Sequence, residues 1–187
     1  MPSLFFRFLA HTSGIDSWEG SKKLSIHIVL VEPEIPQNTG NIVRTCAAIG
    51  ANLHMIKPLG FSVDDKHLKR AGLDYWNDVN IKYYDSFSEL REQYKDNAFY
   101  YATTKAVNAY AEISYPKEAF IVFGKETAGL PEELLKDNKD SCIRIPMRQN
   151  IRSLNLANSV AVIAFEILRQ QGFQGLLEEG GLTKYQW

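Results

Sequence analysis

Three stretches of the chain gather side chains able to pair with anions and to hold a polar ligand. The first, EPEIPQNTGNIVRTC over residues 32–46, spaces Asn38, Asn41 and Arg44 three residues apart. The second, FIVFGKETAGL over 120–130, carries Glu126 at the tip of a glycine-bounded turn. The third, IRIPMRQNIRSLNLAN over 143–158, holds Arg148, Arg152, Ser153 and Asn155. Guanidinium groups pair with phosphates and stabilise developing oxyanions, while amides, hydroxyls and carboxylates orient polar ligands. Taken singly, each residue has an ordinary structural use. Asn38 and Ser153 suit helix caps, Gly124 and Gly129 suit unusual dihedrals, and Pro131 suits the start of a helix. Their concurrence in three separate segments is what argues for a site.

The elements that must position them alternate between strand and helix, as in parallel βαβ sheets. Residues 24–31 (LSIHIVLV) are too continuously apolar to be half-exposed and predict a buried central strand. His27 within it reads as a satisfied core residue. The two prolines of EPEIPQN exclude regular structure, and Asn38 or Thr39 is expected to cap the following helix, which Gly50 ends. Further strands are expected near 53–56, 81–84, 98–102, 120–123 and 142–145. Helices are expected after Asp64 and Asp65, from the Ser86/Glu89 capping box to about Tyr94, and over about 154–171. The result is a mostly parallel six-stranded sheet covered by helices. In open sheets of this kind ligands bind beyond the carboxyl ends of the strands, where all three polar segments fall.

Length and composition bound the function. At 187 residues, with 45% hydrophobic and 23% charged residues, the chain reads as one globular domain. Residues 1–23 form an extension unlike a secretory signal, and no apolar run reaches a membrane span, so a cytoplasmic protein is expected. Lys plus Arg total 21 against 22 Asp plus Glu, so any RNA partner must be held by a local patch. Cys46 and Cys142 lack disulfide or zinc spacing and read as buried apolar residues. Neither a G-x-x-x-x-G-K-[ST] loop nor a G-x-G-x-x-G fingerprint is present, which removes the usual support for ATP and NAD.

The three segments, with KPLGFSVDDKHLKRAGLDYW over 57–76, resemble the SPOUT class of RNA methyltransferases and, more narrowly, the tRNA (cytidine(34)-2′-O)-methyltransferase family. The resemblance spans about residues 24–175. It implies an α/β fold with helices on both faces and a C-terminal trefoil knot in one domain over 24–187. It also implies a homodimer, tRNA as partner and S-adenosyl-L-methionine as cofactor, leaving S-adenosyl-L-homocysteine. Periodicity alone gives no hint of a knot.

By the same resemblance, Ala102, Gly124, Ile145, Met147, Ser153 and Leu154 are expected at the cofactor, largely through backbone atoms. Asn38, Arg44, Glu126, Ser153 and Asn155 match the active-site positions of the 2′-O-methylating branch. Arg44 is viewed there as proton acceptor, yet a guanidinium stays charged near neutral pH. A role in stabilising alkoxide charge and holding a phosphate fits its chemistry better. Lys66, Lys69, Arg70, Lys105, Arg148 and Arg152 are expected to form the RNA patch. The last helix carries more apolar residues than one stripe needs, Ala157, Ala161, Ala164 and Ile167 as well as Leu156, Val160 and Ile163, which offers a face to a partner. Ribosomal RNA as substrate, a non-catalytic RNA-binding relative and a flavodoxin-like binding module are the alternatives.

Overall fold

A computed structural model describes residues 25–62 and 73–187. The segment 1–24, with the expected extension, and the segment 63–72, with Lys66, Lys69 and Arg70, lie outside the described residues. In chain order the elements are β1 (Ser25–Val31), α1 (Pro36–Ile49), β2 (Asn52–Ile56), β3 (Ile81–Tyr84), α2 (Phe87–Gln93), β4 (Ala98–Ala102), β5 (Asn108–Ala109), β6 (Glu118–Phe123), α3 (Glu132–Asp137), β7 (Cys142–Arg144) and α4 (Leu156–Gln170). The strands form one sheet in the order β3-β2-β1-β6-β4-β7-β5, with every neighbouring pair parallel.

The sheet has seven strands where six were expected. The addition, β5, pairs only Asn108 with Ile143 and Ala109 with Arg144. Two residues are too few to leave an alternation in the sequence.

Central position explains the unbroken apolarity of β1. Its Ile26, Ile28 and Leu30 pack with Ile42, Val43 and Cys46 of α1 and Val160, Ile163 and Ile167 of α4. Val29 and Val31 point the other way, joining Leu90 of α2, Leu135 of α3, Phe120 and Tyr101. Helices therefore cover both faces. Both cysteines are free and buried.

Proline sets the start of α1. Pro36 sits in its first turn, where its missing N–H costs nothing, so the helix begins before Asn38. Neither Asn38 nor Thr39 is the cap; Ile35 holds that position with no side-chain acceptor. The C-terminal expectation holds, with Gly50 left-handed at φ 68° and its N–H donating to Cys46. For α4 the cap is Asn155, not Ser153, and its Oδ1 accepts from Ala157 N (2.9 Å) and Asn158 N (3.3 Å). Ala164 and Ile167 of this helix are buried in the core, while Val162 and Phe165 are its exposed large apolar residues. The spare face thus differs from the one expected.

A polar chain crosses the second core layer from the amino end of β1 to the carboxyl end of β3. Ser25 Oγ meets His27 Nε2 at 2.9 Å, His27 Nδ1 meets His54 Nε2 at 2.8 Å, and His54 Nδ1 meets the Tyr84 hydroxyl at 3.0 Å. Burial lowers the pKa of His27 to about 4 and that of His54 to about 3. Both rings are neutral, as the reading of His27 as a satisfied core residue required. Among the described residues no helix is long and apolar enough to cross a membrane.

Candidate active site

Beyond the carboxyl ends of β4, β6 and β7 lies a cleft of about 580 Å3, a size suited to a nucleoside-like ligand. Ala102, Gly124, Ile145, Met147, Ser153 and Leu154 all line it, as do Asn38, Glu126, Asn155, Lys105 and Arg152. Phe123, Leu130, Ile143 and Ile163 add apolar wall, and Thr103 and Thr104 add hydroxyls just after β4. These last residues were not foreseen, although the TTK triplet directly after a strand was a legible polar signal.

Gly124 sets how closely the cleft's own chain can fold back. A Cβ at this position would lie 2.1 Å from the Gly129 carbonyl carbon and 2.3 Å from Leu130 N. Gly129 itself is left-handed at φ 72° and donates its N–H to Lys125 O at 2.8 Å. Both glycines therefore have stronger requirements than a generic turn.

The polar residues form a continuous network across the three sequence segments. Glu126 Oε2 accepts from Glu34 N at 2.9 Å, and Oε1 accepts from Ile35 N at 3.3 Å and Asn38 Nδ2 at 2.9 Å. A carboxylate 88 residues away thus stands at the start of α1, where the helix dipole favours negative charge. Asn38 is buried, and its Oδ1 accepts from Asn155 Nδ2 at 2.9 Å. Asn155 in turn caps α4, so its amide serves both the helix and the site.

A second set of contacts runs in the opposite direction between the same loops. Glu34 Oε2 accepts from Thr127 N at 3.1 Å and Thr127 Oγ1 at 2.7 Å, which holds the Glu34 carboxyl below its ordinary pKa. Lys125 Nζ donates to Glu32 Oε2 at 2.6 Å, and Arg152 Nη2 donates to Thr127 O at 3.2 Å. Glu34 and Thr127 were missed because their importance lies in a contact between residues 93 positions apart. Glu34→Ala, which removes both bonds from Thr127, is expected to weaken cofactor binding about 3- to 10-fold; Thr127→Val, which removes only the hydroxyl bond, should cost less and add little in the double variant. Calorimetric titration with the cofactor checks this.

Not every candidate converges. Arg44 does not line the cleft; it is exposed on α1, with its guanidinium carbon 5.3 Å from the centre of the Tyr75 ring. Arg148 is exposed outside the lining, in a turn closed by Ile151 N to Arg148 O at 3.0 Å. Lys105 pairs with Glu132 at the mouth of the cleft. Ser153 is exposed on its wall.

Residues 25–165 match the model of the SpoU rRNA Methylase family. The chain belongs to this family. A tRNA (cytidine(34)-2′-O)-methyltransferase of Photorhabdus asymbiotica subsp. asymbiotica is 50% identical over 159 residues, covering 81% of this chain and 98% of that relative. A solved SpoU-like structure reported as "Structural insights into the 2-OH methylation of C/U34 on tRNA" is 41% identical, with TM-score 0.76, covering 80% of this chain and 98% of the other. The AdoMet-bound rRNA methyltransferase of Sinorhizobium meliloti is 25% identical with TM-score 0.71, covering 79% of this chain and 57% of that one. SpoU methyltransferases use S-adenosylmethionine, and the cleft described above fits such a group: apolar Phe123, Leu130, Ile143 and Ile163 share its lining with hydroxyls, amides and a carboxylate.

Proposed function

We propose that this chain methylates the ribose 2′-oxygen of the wobble nucleotide, position 34, of tRNA, using S-adenosylmethionine. The observation that carries this is the cleft at the ends of β4, β6 and β7, closed by the Glu126–Asn38–Asn155 network. Its lining includes every residue expected at the cofactor and, apart from Arg44, every residue expected in the active site. The names borne by relatives of about half-identical sequence favour tRNA over ribosomal RNA.

The cofactor supplies an electrophilic methyl on a sulfonium. The ribose 2′-oxygen forms the new bond to that methyl carbon, the carbon–sulfur bond breaks, and the hydroxyl proton leaves to solvent. Protein residues contribute mainly alignment, which in well-oriented cases is worth about 7–11 kcal/mol. Both sides of the Asn38 amide and both oxygens of Glu126 are occupied by protein groups, so these residues hold the three loops in register. Ser153, exposed on the wall, is free to meet the ribose or the cofactor.

Arg44 acts from outside the lining. Its position against Tyr75 suits holding an RNA phosphate, with Arg148, Arg152 and Lys105 extending the patch. The protein works as a cytoplasmic homodimer with a trefoil-knotted C-terminal part. The exposed Val162 and Phe165 of α4 support an apolar contact with a second copy.

Incubation with radiolabelled S-adenosylmethionine and unmodified total tRNA, followed by mapping of the label, tests the reading. Label on the position 34 ribose is expected, falling at least 100-fold with Arg44→Ala and recovering partly with Arg44→Lys. Label in ribosomal RNA alone would replace the substrate, and label in neither would refute the activity.

A further inference from the structure

The same edge of the sheet carries a second concavity, about 530 Å3, lined by Lys57, Pro58, Leu59, Phe61, Tyr83 and Asp85. It lies beyond the ends of β2 and β3. Tyr83 is 39% exposed on edge strand β3, and neither it nor Phe61 belongs to the core layers of the described residues. Two aromatic side chains thus face an open recess instead of the interior. At its rim Lys57 Nζ and Asp85 Oδ1 stand 2.9 Å apart, so one end offers both a donor and an acceptor.

The recess is tied to the catalytic network by backbone. Gly60 N donates to Pro33 O at 2.9 Å, and a Cβ on Gly60 would approach Glu34 Cα to 2.7 Å. Glu34 is the residue whose own N–H is held by Glu126. β1 alone separates β2 from β6, so at about 4.8 Å per strand the nearest strands of the two sites lie roughly 10 Å apart and the middles of the sites roughly 17 Å. Nucleotides a few positions apart in one RNA loop can bridge that distance.

We propose that this recess seats one unpaired base of the substrate loop, a near neighbour of the methylated nucleotide, stacked on Tyr83 and Phe61 with its edge bonded to Lys57 and Asp85. The proposal rests on the RNA methylation reading above. Single-stranded RNA is read by splaying bases onto aromatic side chains and hydrogen-bonding their edges, and both kinds of group are present. The Asp85 carboxylate repels a phosphate but accepts from an exocyclic amine. Adenine and cytosine, with an amino donor beside a ring-nitrogen acceptor, fit the Asp85 and Lys57 pair better than uracil. The recess is therefore a specificity site, distinct from the charge that holds the backbone.

The test uses the full chain and an anticodon stem-loop oligonucleotide, with binding read by fluorescence anisotropy in the absence of cofactor and methyl transfer read separately. Tyr83→Ala is expected to raise the Kd and KM for the stem-loop roughly 5- to 50-fold. The kcat, the thermal midpoint and cofactor affinity should stay at wild-type values, and Tyr83→Trp should restore binding. Abasic substitution at one flanking position should cost wild type the same factor and cost Tyr83→Ala nothing further. Equal stem-loop affinity of wild type and Tyr83→Ala would overturn the proposal, as would equal losses from every abasic position in both proteins. A wild type that transfers no methyl yet keeps this position-specific binding would remove the functional reading and leave the base site standing.

Discussion

Gly124→Ala is expected to destabilise the protein by several kcal/mol and to abolish measurable cofactor binding. Overpacking a core usually costs about 1–3 kcal/mol because flexible side chains move aside. Here the added methyl would stand 2.1–2.4 Å from three backbone atoms of Gly129 and Leu130, and backbone has no rotamer to change. The segment 129–130 must then be displaced, which breaks the Gly129 N–H to Lys125 O bond and shifts Glu126, Lys125 and Thr127 with it. Denaturant unfolding should show the lower midpoint, and calorimetry should show affinity reduced more than 100-fold in whatever fraction remains folded. A variant with wild-type midpoint and affinity would mean that the two strands of chain part more easily than their contact implies.

The second large effect is acid lability that begins unusually early. His27 and His54 have folded pKa values of about 4 and about 3, below the ordinary 6.5, chiefly because burial penalises the charged ring. The mutual repulsion of charged rings and the nearby Lys82 lower His54 further, while Glu118 partly offsets the shift at His27. Between those values and 6.5 the unfolded chain binds more protons than the folded one. Stability is therefore full above about pH 6.5 and falls as pH drops. Each histidine removes about 1.4 kcal/mol per pH unit, so near pH 4.5 the pair removes roughly 5 kcal/mol, comparable with the whole stability of many domains.

Geometry agrees with this sign. If the Tyr84 hydroxyl donates to His54 Nδ1, then His54 Nε2–H donates to His27 Nδ1 and His27 Nε2–H donates to Ser25, leaving no acceptor for another proton. Carboxylates with lowered pKa, such as Glu34 and Glu166, lose their contribution only in more acid solution. Urea midpoints measured from pH 8 to 5 should decline from about 6.5 downward. Phenylalanine at both histidine positions should lower the plateau yet remove that decline, and a flat wild-type profile would contradict the neutral pair.

How far the sequence carried this picture depends on the range of the interactions involved. β3 and β4 were legible to the residue, because runs such as IKYY and AFYYA depend on local composition and on burial that apolar residues declare. The residues that the resemblance assigns to a cofactor do converge on one cleft. The cap of α1 was misread because Pro36 moves the helix start and because the compensating carboxylate, Glu126, arrives from another loop. Nor could local pattern show that Glu34 and Thr127 meet, or that Arg44 turns toward Tyr75 instead of the cleft. Side-chain direction around the site is decided by packing between segments, which spacing along one helix does not encode.

The middle seam of the sheet has a consequence for how the chain comes into being. Ser25 to Leu30 lie beside Glu118 to Phe123, so the innermost strand waits for a partner synthesised more than ninety residues later. Long-range parallel pairing of this kind is slow, because loop entropy must be lost before contacts compensate. On the ribosome, β1 can find β2 early, but its other edge stays open, with apolar side chains on both faces, until most of the chain has emerged. The strand that anchors the finished enzyme is thus the one most in need of protection while the enzyme is being made.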